Sequence, residues 1–280
     1  MAFPTEWIYQ KCVDAVSDIY GSGMVEKTRP WLEVSSTGNF AGVWGFIEAG
    51  CNVFIAVGTI LVVIYFVINL SEKSISQGAT LETFAKYFIE FCLALLLIAN
   101  AFRIVGFASS IGSGVLTDVG TIASQATEDE TTPGGSLLAE IDEINTGSNG
   151  IGKFMKLLLF YLTTLQFPAL LAAIGRTLVI VACMARGISI IIYGVFLPIP
   201  IADVYKDGLN SKGIRYIKKF IGLFLQGAVI LLVVIASSYL QGSVSQESGL
   251  TGALYSVGLI FVTVMIIFKS QSIANDIVGV

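Results

Sequence analysis

Three stretches of this chain, Ala49–Leu70, Phe220–Leu240 and Leu250–Phe268, contain no Asp, Glu, Lys or Arg. Each supplies the roughly 20 residues that an α-helix needs to cross a hydrocarbon layer about 30 Å thick. Lipid offers no partner to a backbone N–H or C=O, so such runs must fold as helices that satisfy their own backbone. Composition points the same way: 55% of the 280 residues are hydrophobic and 13% are charged, against about 25% charged in a soluble domain. The expected fold class is an all-α integral membrane protein.

A fourth run, Phe84–Phe102, is interrupted by Lys86 and Glu90, which share one helical face at i,i+4 near its start. Orientation follows from the side that retains Lys and Arg in short loops. Asp203–Lys219 holds Lys206, Lys212, Arg215, Lys218 and Lys219 against Asp203 and Asp207 and is expected to be cytoplasmic. Ile104–Gly152 has seven acidic residues and no basic one, and Gln241–Gly249 has only Glu247; both are expected outside. With no evident signal peptide at the start, the first span does the targeting.

The stretch Leu157–Ala202 is mostly apolar but carries Arg176 and Arg186. One net crossing keeps the basic loop inside, so the expectation is a long or broken helix from Phe154 to about Ala185, turning back near Pro198 and Pro200. That gives about five crossings, with six as the competing count. The expected layout is an N-terminal amphipathic segment (1–42), two membrane helices (43–103), a Gly/Ser-rich segment with an acidic outer loop (104–153), the long or broken helix (154–202), a basic cytoplasmic loop (203–219), and two final membrane helices with a short cytoplasmic tail (220–280). In the first segment Ile8, Cys12, Ala15 and Ile19 recur at helical spacing, as in an interfacial or partner-binding helix or an ordinary solvated one.

Gly106, Ser110 and Gly114 stand at i, i+4 and i+8, and Ala108 and Gly112 share a neighbouring face. Small residues so spaced let helices approach closely in lipid, either within the chain or between subunits. Ionisable residues inside a span cost about 2.5–3.5 kcal/mol each on insertion scales unless they are paired or wet. Glu90, Arg176 and Arg186 are the candidates, either lining a polar lumen or satisfied structurally, with Glu90 paired to Lys86 or to an arginine. The acidic outer loop is rich in Gly and is expected to dock a partner or stay semi-ordered rather than bury a core.

Catalytic chemistry has little to work with, because the chain contains no histidine, no CxxC pair and no paired-Asp motif. Cys51, Cys92 and Cys183 sit in apolar runs as packing residues. Gly147–Lys153 resembles a phosphate loop, but Phe154 stands where the magnesium-binding hydroxyl belongs, so a Gly-rich linker is the reading. No cofactor and no enzymatic activity are expected.

Phe196–Leu231, FLPIPIADVYKDGLNSKGIRYIKKFIGLFLQGAVIL, combines a Pro-containing apolar end, a short loop with paired glycines, a Gly-x-Arg-Tyr-x-Lys-Lys run and an immediate span containing Gln. This segment resembles the TrbL-type polytopic inner-membrane subunits of type IV secretion and conjugation machines. The resemblance implies an outward N-terminus, about five spans, and a large loop between the second and third. It also implies that Pro198, Asp203, Gly208, Gly213, Tyr216 and Lys219 lie in a membrane-proximal cytoplasmic loop. By that resemblance the chain would act as a channel or scaffold in the bacterial cytoplasmic membrane, helping pass DNA or protein. Its partners would be other secretion subunits including ATPases, further copies of itself, and the bilayer, with contact to the translocating DNA or protein. The alternative is a small-solute transporter, which needs a midplane site at broken helices; the Leu157–Ala202 break beside Arg176 and Arg186 would supply it, while no internal repeat is evident.

Overall fold

The computed structural model describes residues 5–20, 24–34, 39–77, 81–126, 135–147, 150–207, 211–244 and 249–279, and every regular element among them is helical. In chain order these are α1 (Thr5–Tyr20), α2 (Met24–Leu32), α3 (Ala41–Gln77), α4 (Leu81–Ala99), α5 (Ala101–Ala126), α6 (Gly135–Gly147) and α7 (Ile151–Phe160). There follow α8 (Gln166–Val195), α9 (Pro198–Asp207), α10 (Lys212–Val244) and α11 (Gly249–Val278). A π-helical turn, Tyr161–Leu165, joins α7 to α8 without a break. Four helical stretches are long and apolar enough to cross a membrane: Ala41–Glu72, Ile151–Val195, Lys212–Gln241 and Leu250–Val278. Phe84–Ala99 and Ala101–Thr121 form a fifth candidate if a pair bent by 62° counts as one span. A sixth has no helix among the described residues.

Several boundaries differ from the sequence-based layout. The Phe84–Phe102 run ends at Ala99, where Asn100 turns its side chain back to donate to the Leu96 carbonyl at 2.7 Å, and the chain restarts at an angle as α5. The segment expected as the start of the outer loop is therefore helical from Ala101 to Ala126. The long element runs without reversal for 45 residues from Ile151 to Val195, about 67 Å at 1.5 Å per residue. Its irregularity is the π turn, directly upstream of Pro168, whose missing N–H removes one helical bond. Pro198 and Pro200 do not make the reversal: Phe196 and Leu197 form the turn, and Pro198 is the first residue of α9, where a proline costs the helix no bond. The two ends of the basic loop are helical, belonging to α9 and α10. Gly208, between them, lies outside the described residues.

The chain packs as two compact bodies. The first comprises residues up to Pro30, Asp118–Cys183 and Val229–Ser270. Here Ile8, Cys12, Val16 and Ile19 of α1 are fully buried with Leu137 and Ile141 of α6, Leu157 and Leu165. The apolar face of α1 is thus covered by the chain itself, and the acidic segment contributes a helix to a core rather than remaining a bare loop. Tyr9 donates to Asp142 at 2.9 Å, and burial pushes the Cys12 thiol up to about 11, leaving it a packing group. At the other end of α1, Gln241 of α10 and Ser256 of α11 both donate to the Ile19 carbonyl, at 3.2 and 3.0 Å, and Gln241 also meets Ser256.

The second body comprises Trp31–Thr117, Met184–Ala228 and Gln271–Val280. Its core joins Phe40, just before α3, and Ile47 and Cys51 of α3 to Ile98, Val105, Ile190, Leu197, Phe220 and Phe224. The α3–α4 pair carries α9 along it, with Phe54 against Phe196 and Phe91 against Tyr205. Elsewhere α3 and α4 are bare, exposing apolar side chains such as Val53, Ile60, Val67, Leu93 and Leu96.

Candidate functional site

Arg186 is the most buried cation among the described residues, with 3% of its surface exposed. Its guanidinium donates from Nε to the Leu223 carbonyl at 2.7 Å, from one terminal nitrogen to Leu32 at 2.7 Å, and from the other to Phe224 at 3.2 Å. The planar fork of arginine suits this fan of acceptors, and hydrogen bonds from a charged donor are about twice as strong as neutral ones. Gly227 makes the approach possible: a Cβ there would stand 2.5 Å from the nearer terminal nitrogen and 2.6 Å from Cζ. Arg186 therefore ties α8, the end of α2 and the middle of α10 together. Of the two readings open from sequence, structural satisfaction applies to it.

Arg176 is satisfied differently, in the other body. Its terminal nitrogen lies 2.8 Å from the Asp18 carboxylate of α1, with the arginine side chain 12% exposed and the aspartate 53%. Neither arginine pairs with Glu90 in this way. A partly wet ion pair contributes less than about 1 kcal/mol, but an arginine as covered as Arg176 loses more when its partner goes. Asp18→Asn is expected to lower stability by about 1 kcal/mol. The charge swap, Asp18→Arg with Arg176→Asp, is expected to recover part of it, measured by thermal unfolding in detergent. Equal stability of Asp18→Asn and the parent would mean that the pair contributes nothing.

Glu90 is half-buried on α4. The Tyr205 hydroxyl of α9 is buried near Asn69, Glu90 and Tyr87. Lys86 is exposed. Lys206, next along α9, sits 5.6 Å above the Tyr65 ring, a cation–π distance.

The start of α10 is built by caps. Ser211 accepts the Ile214 N–H at 3.2 Å, as an N-cap residue does, and Asp203 accepts the Gly213 N–H at 3.2 Å. A Cβ on Gly213 would overlap the Pro200 carbonyl, so α9 and α10 touch through backbone. Tyr216 faces inward, stacked on Tyr193 and donating to its carbonyl at 2.9 Å. Lys212, Arg215 and Lys218 are exposed and Lys219 is half-exposed. These residues give the start of α10 a positive face, with Phe220 buried.

The small-residue stripe is placed otherwise than an internal contact requires. A Cβ at Gly106 or Gly114 would meet nothing within 4 Å, and Ser110 is exposed, its hydroxyl spent on the Phe107 carbonyl. Close approach on α5 occurs one face over, where a Cβ on Gly112 would come within 2.8 Å of the Phe224 ring. There the buried Ser109 donates to the Val34 carbonyl at 2.7 Å.

Sequence reasoning missed Gly227, Gly58, Gln241 and Ser256. A glycine inside an apolar span was the available signal for the first two, since it weakens a helix unless backbone or a bulky group must come close. Gly150, with φ +59°, starts α7, and Lys153 is already helical there, so the phosphate-loop-like string ends as a helix start; residues 148–149 lie outside the described set. Comparison with protein-family models, curated proteins and solved structures finds no match to this chain.

Proposed function

We propose that this chain is a membrane channel or scaffold subunit of a conjugative or type IV secretion apparatus, helping DNA or protein substrate across a bacterial cytoplasmic membrane. The observation that carries the reading is the Phe196–Leu231 segment, whose TrbL-like residues form a capped α9–α10 hairpin with its cations outward. In this reading the N-terminus is extracytoplasmic, the C-terminus cytoplasmic, and the hairpin opens to the inner side, where secretion ATPases supply the energy. The chain contributes passage and attachment rather than catalysis, and it works beside further copies and other secretion subunits.

Neutralising the outward face tests this. Each basic residue near an anionic surface contributes about 1 kcal/mol, so Lys218→Gln with Lys219→Gln removes about 2 kcal/mol of attraction, roughly a 30-fold loss of occupancy. Transfer frequency is expected to fall by at least tenfold on that arithmetic, with the protein's membrane level unchanged. Normal transfer in the double variant would return the face to a topology signal.

A further inference from the structure

Within the membrane-crossing candidate Lys212–Gln241, the charge-free run Phe220–Leu240 measures about 31 Å at 1.5 Å per residue. That run fills a hydrocarbon layer of about 30 Å, so Phe220 marks its edge. Lys218 and Lys219 then stand within about 3 Å of the edge, and Arg215 about 7 Å beyond it along the helix. Headgroups occupy roughly 5–7 Å on each side of the hydrocarbon. The three cations therefore span the layer that holds lipid phosphates.

Spacing also brings them together on the helix surface. Lys218 and Lys219 follow Arg215 at i+3 and i+4, positions about 5–6 Å apart between Cβ atoms, where like charges repel. No described carboxylate offsets that repulsion: none of the three forms an ion pair with another described residue. Asp203 is turned to the Gly213 N–H instead, and the first turn of α10 has no acidic residue. Because Asp203 and Ser211 already cap the helix start, an anion here is held by side chains and not by backbone N–H groups.

The next turn supplies an apolar seat. Ile221, at i+3 from Lys218, is 42% exposed, and Leu225, at i+7, is half-exposed; residues at these spacings share a side of the helix. Phe220 and Phe224 are buried on the other side. The exposed strip of α10 thus passes from cations straight to aliphatic side chains, the order in which a phospholipid presents phosphate and acyl chain. A nucleic acid or an acidic protein would match the cations and leave Ile221 and Leu225 uncovered.

We propose that Arg215, Lys218 and Lys219 bind the phosphate of an anionic phospholipid whose acyl chain runs along Ile221 and Leu225. This names what the outward face of the α9–α10 hairpin meets, and it rests on the channel reading only for the leaflet, the cytoplasmic one.

In the test, the delipidated full chain in a neutral detergent is titrated with phosphatidylglycerol or phosphatidylcholine of identical acyl chains. Bound lipid is counted by native mass spectrometry. Two or more cation contacts of about fivefold each give the parent a preference for phosphatidylglycerol of at least about 30-fold at low salt. Lys218→Gln should lower that preference about fivefold, and Arg215→Gln with Lys218→Gln and Lys219→Gln should bring it near parity. Lys11→Gln with Lys27→Gln, which removes two exposed cations from other helices, should leave it unchanged. Equal binding of the two lipids by the parent would overturn the site, as would an equal loss in the Lys11 and Lys27 variant. So would glycerophosphoglycerol, the headgroup without tails, binding as tightly as the lipid. Displacement of bound phosphatidylglycerol by a single-stranded oligonucleotide at matched phosphate concentration would reassign the cations to nucleic acid. If the triple variant is lost in purification, Lys218→Gln carries the test. Transfer is not measured, so a chain with no part in secretion would bind the lipid equally, and a chain without lipid selectivity would leave the channel reading to its own transfer test.

Discussion

Alanine at Gly227 is expected to destabilise the protein nearly as much as removal of the Arg186 side chain, against the usual sign for a glycine replaced inside a helix. In an ordinary helix interior, Gly→Ala gains about 1 kcal/mol. Here the new methyl group would fall 2.5–3.0 Å from three guanidinium atoms. Arg186 cannot yield without leaving three carbonyls, and with 3% exposure it has no water to move into. Displacing a buried cation from its partners costs about 3–5 kcal/mol. Thermal unfolding of detergent-purified protein should show a large loss for Gly227→Ala and for Arg186→Lys, whose single ammonium cannot span the three acceptors. In Gly227→Ala with Arg186→Met the methyl group meets no guanidinium. The double variant should therefore lose less than the two single losses combined, with a coupling of about 1–3 kcal/mol. A stabilised Gly227→Ala would place the guanidinium elsewhere.

The second large effect concerns α9, whose first turn touches backbone on two sides. A methyl at Gly58 meets the Pro198 carbonyl, and one at Gly213 overlaps the Pro200 carbonyl. Backbone atoms cannot rotate aside as a side-chain end can, so the helices must separate. Overpacking of this kind costs about 1–3 kcal/mol per site, and the Asp203 contact to the Gly213 N–H goes with it. Gly58→Ala and Gly213→Ala should each lower the unfolding midpoint and broaden elution on size-exclusion chromatography. Gly106→Ala and Gly114→Ala, with open space around the added carbon, should be neutral or slightly stabilising. If all four variants behave alike, the wedge between α3 and α10 is not there.

The membrane helices were legible because lipid leaves so few alternatives: a charge-free run of sufficient length has to be helix. What hydropathy could not supply was where a helix bends or which face it buries. Asn100 interrupts α4 and α5 through a local side-chain bond, invisible to an average over 19 residues. Pro198 and Pro200 resembled a turn because proline ends helices, yet the same fixed φ makes it a good first residue, and the difference lies in Phe196 and Leu197 beside it. Spacing placed Gly106, Ser110 and Gly114 on one face correctly and could not say what that face meets. The periodicity of α1 was readable; that its cover would be α6, from a segment with the composition of a loop, depended on Leu137 and Ile141 pointing the same way. Arg186 was singled out by its cost, while its satisfaction by backbone carbonyls leaves no complementary charge to search for.

The clamp on Ile19 sets an order of events for biogenesis. The carbonyl at the end of α1 is held by Ser256, 237 residues later in the chain, and by Gln241 at 222. At about 5–20 residues per second, translation needs roughly 10–50 s to deliver those partners. For that interval the Ile19 carbonyl of α1 lacks these two partners, although α6 and α7, which cover its apolar face, are made well before them. A ribosome stopped before α11 leaves α1 without Ser256. Arrival of the α10–α11 hairpin thus completes the seating of α1 as a late step.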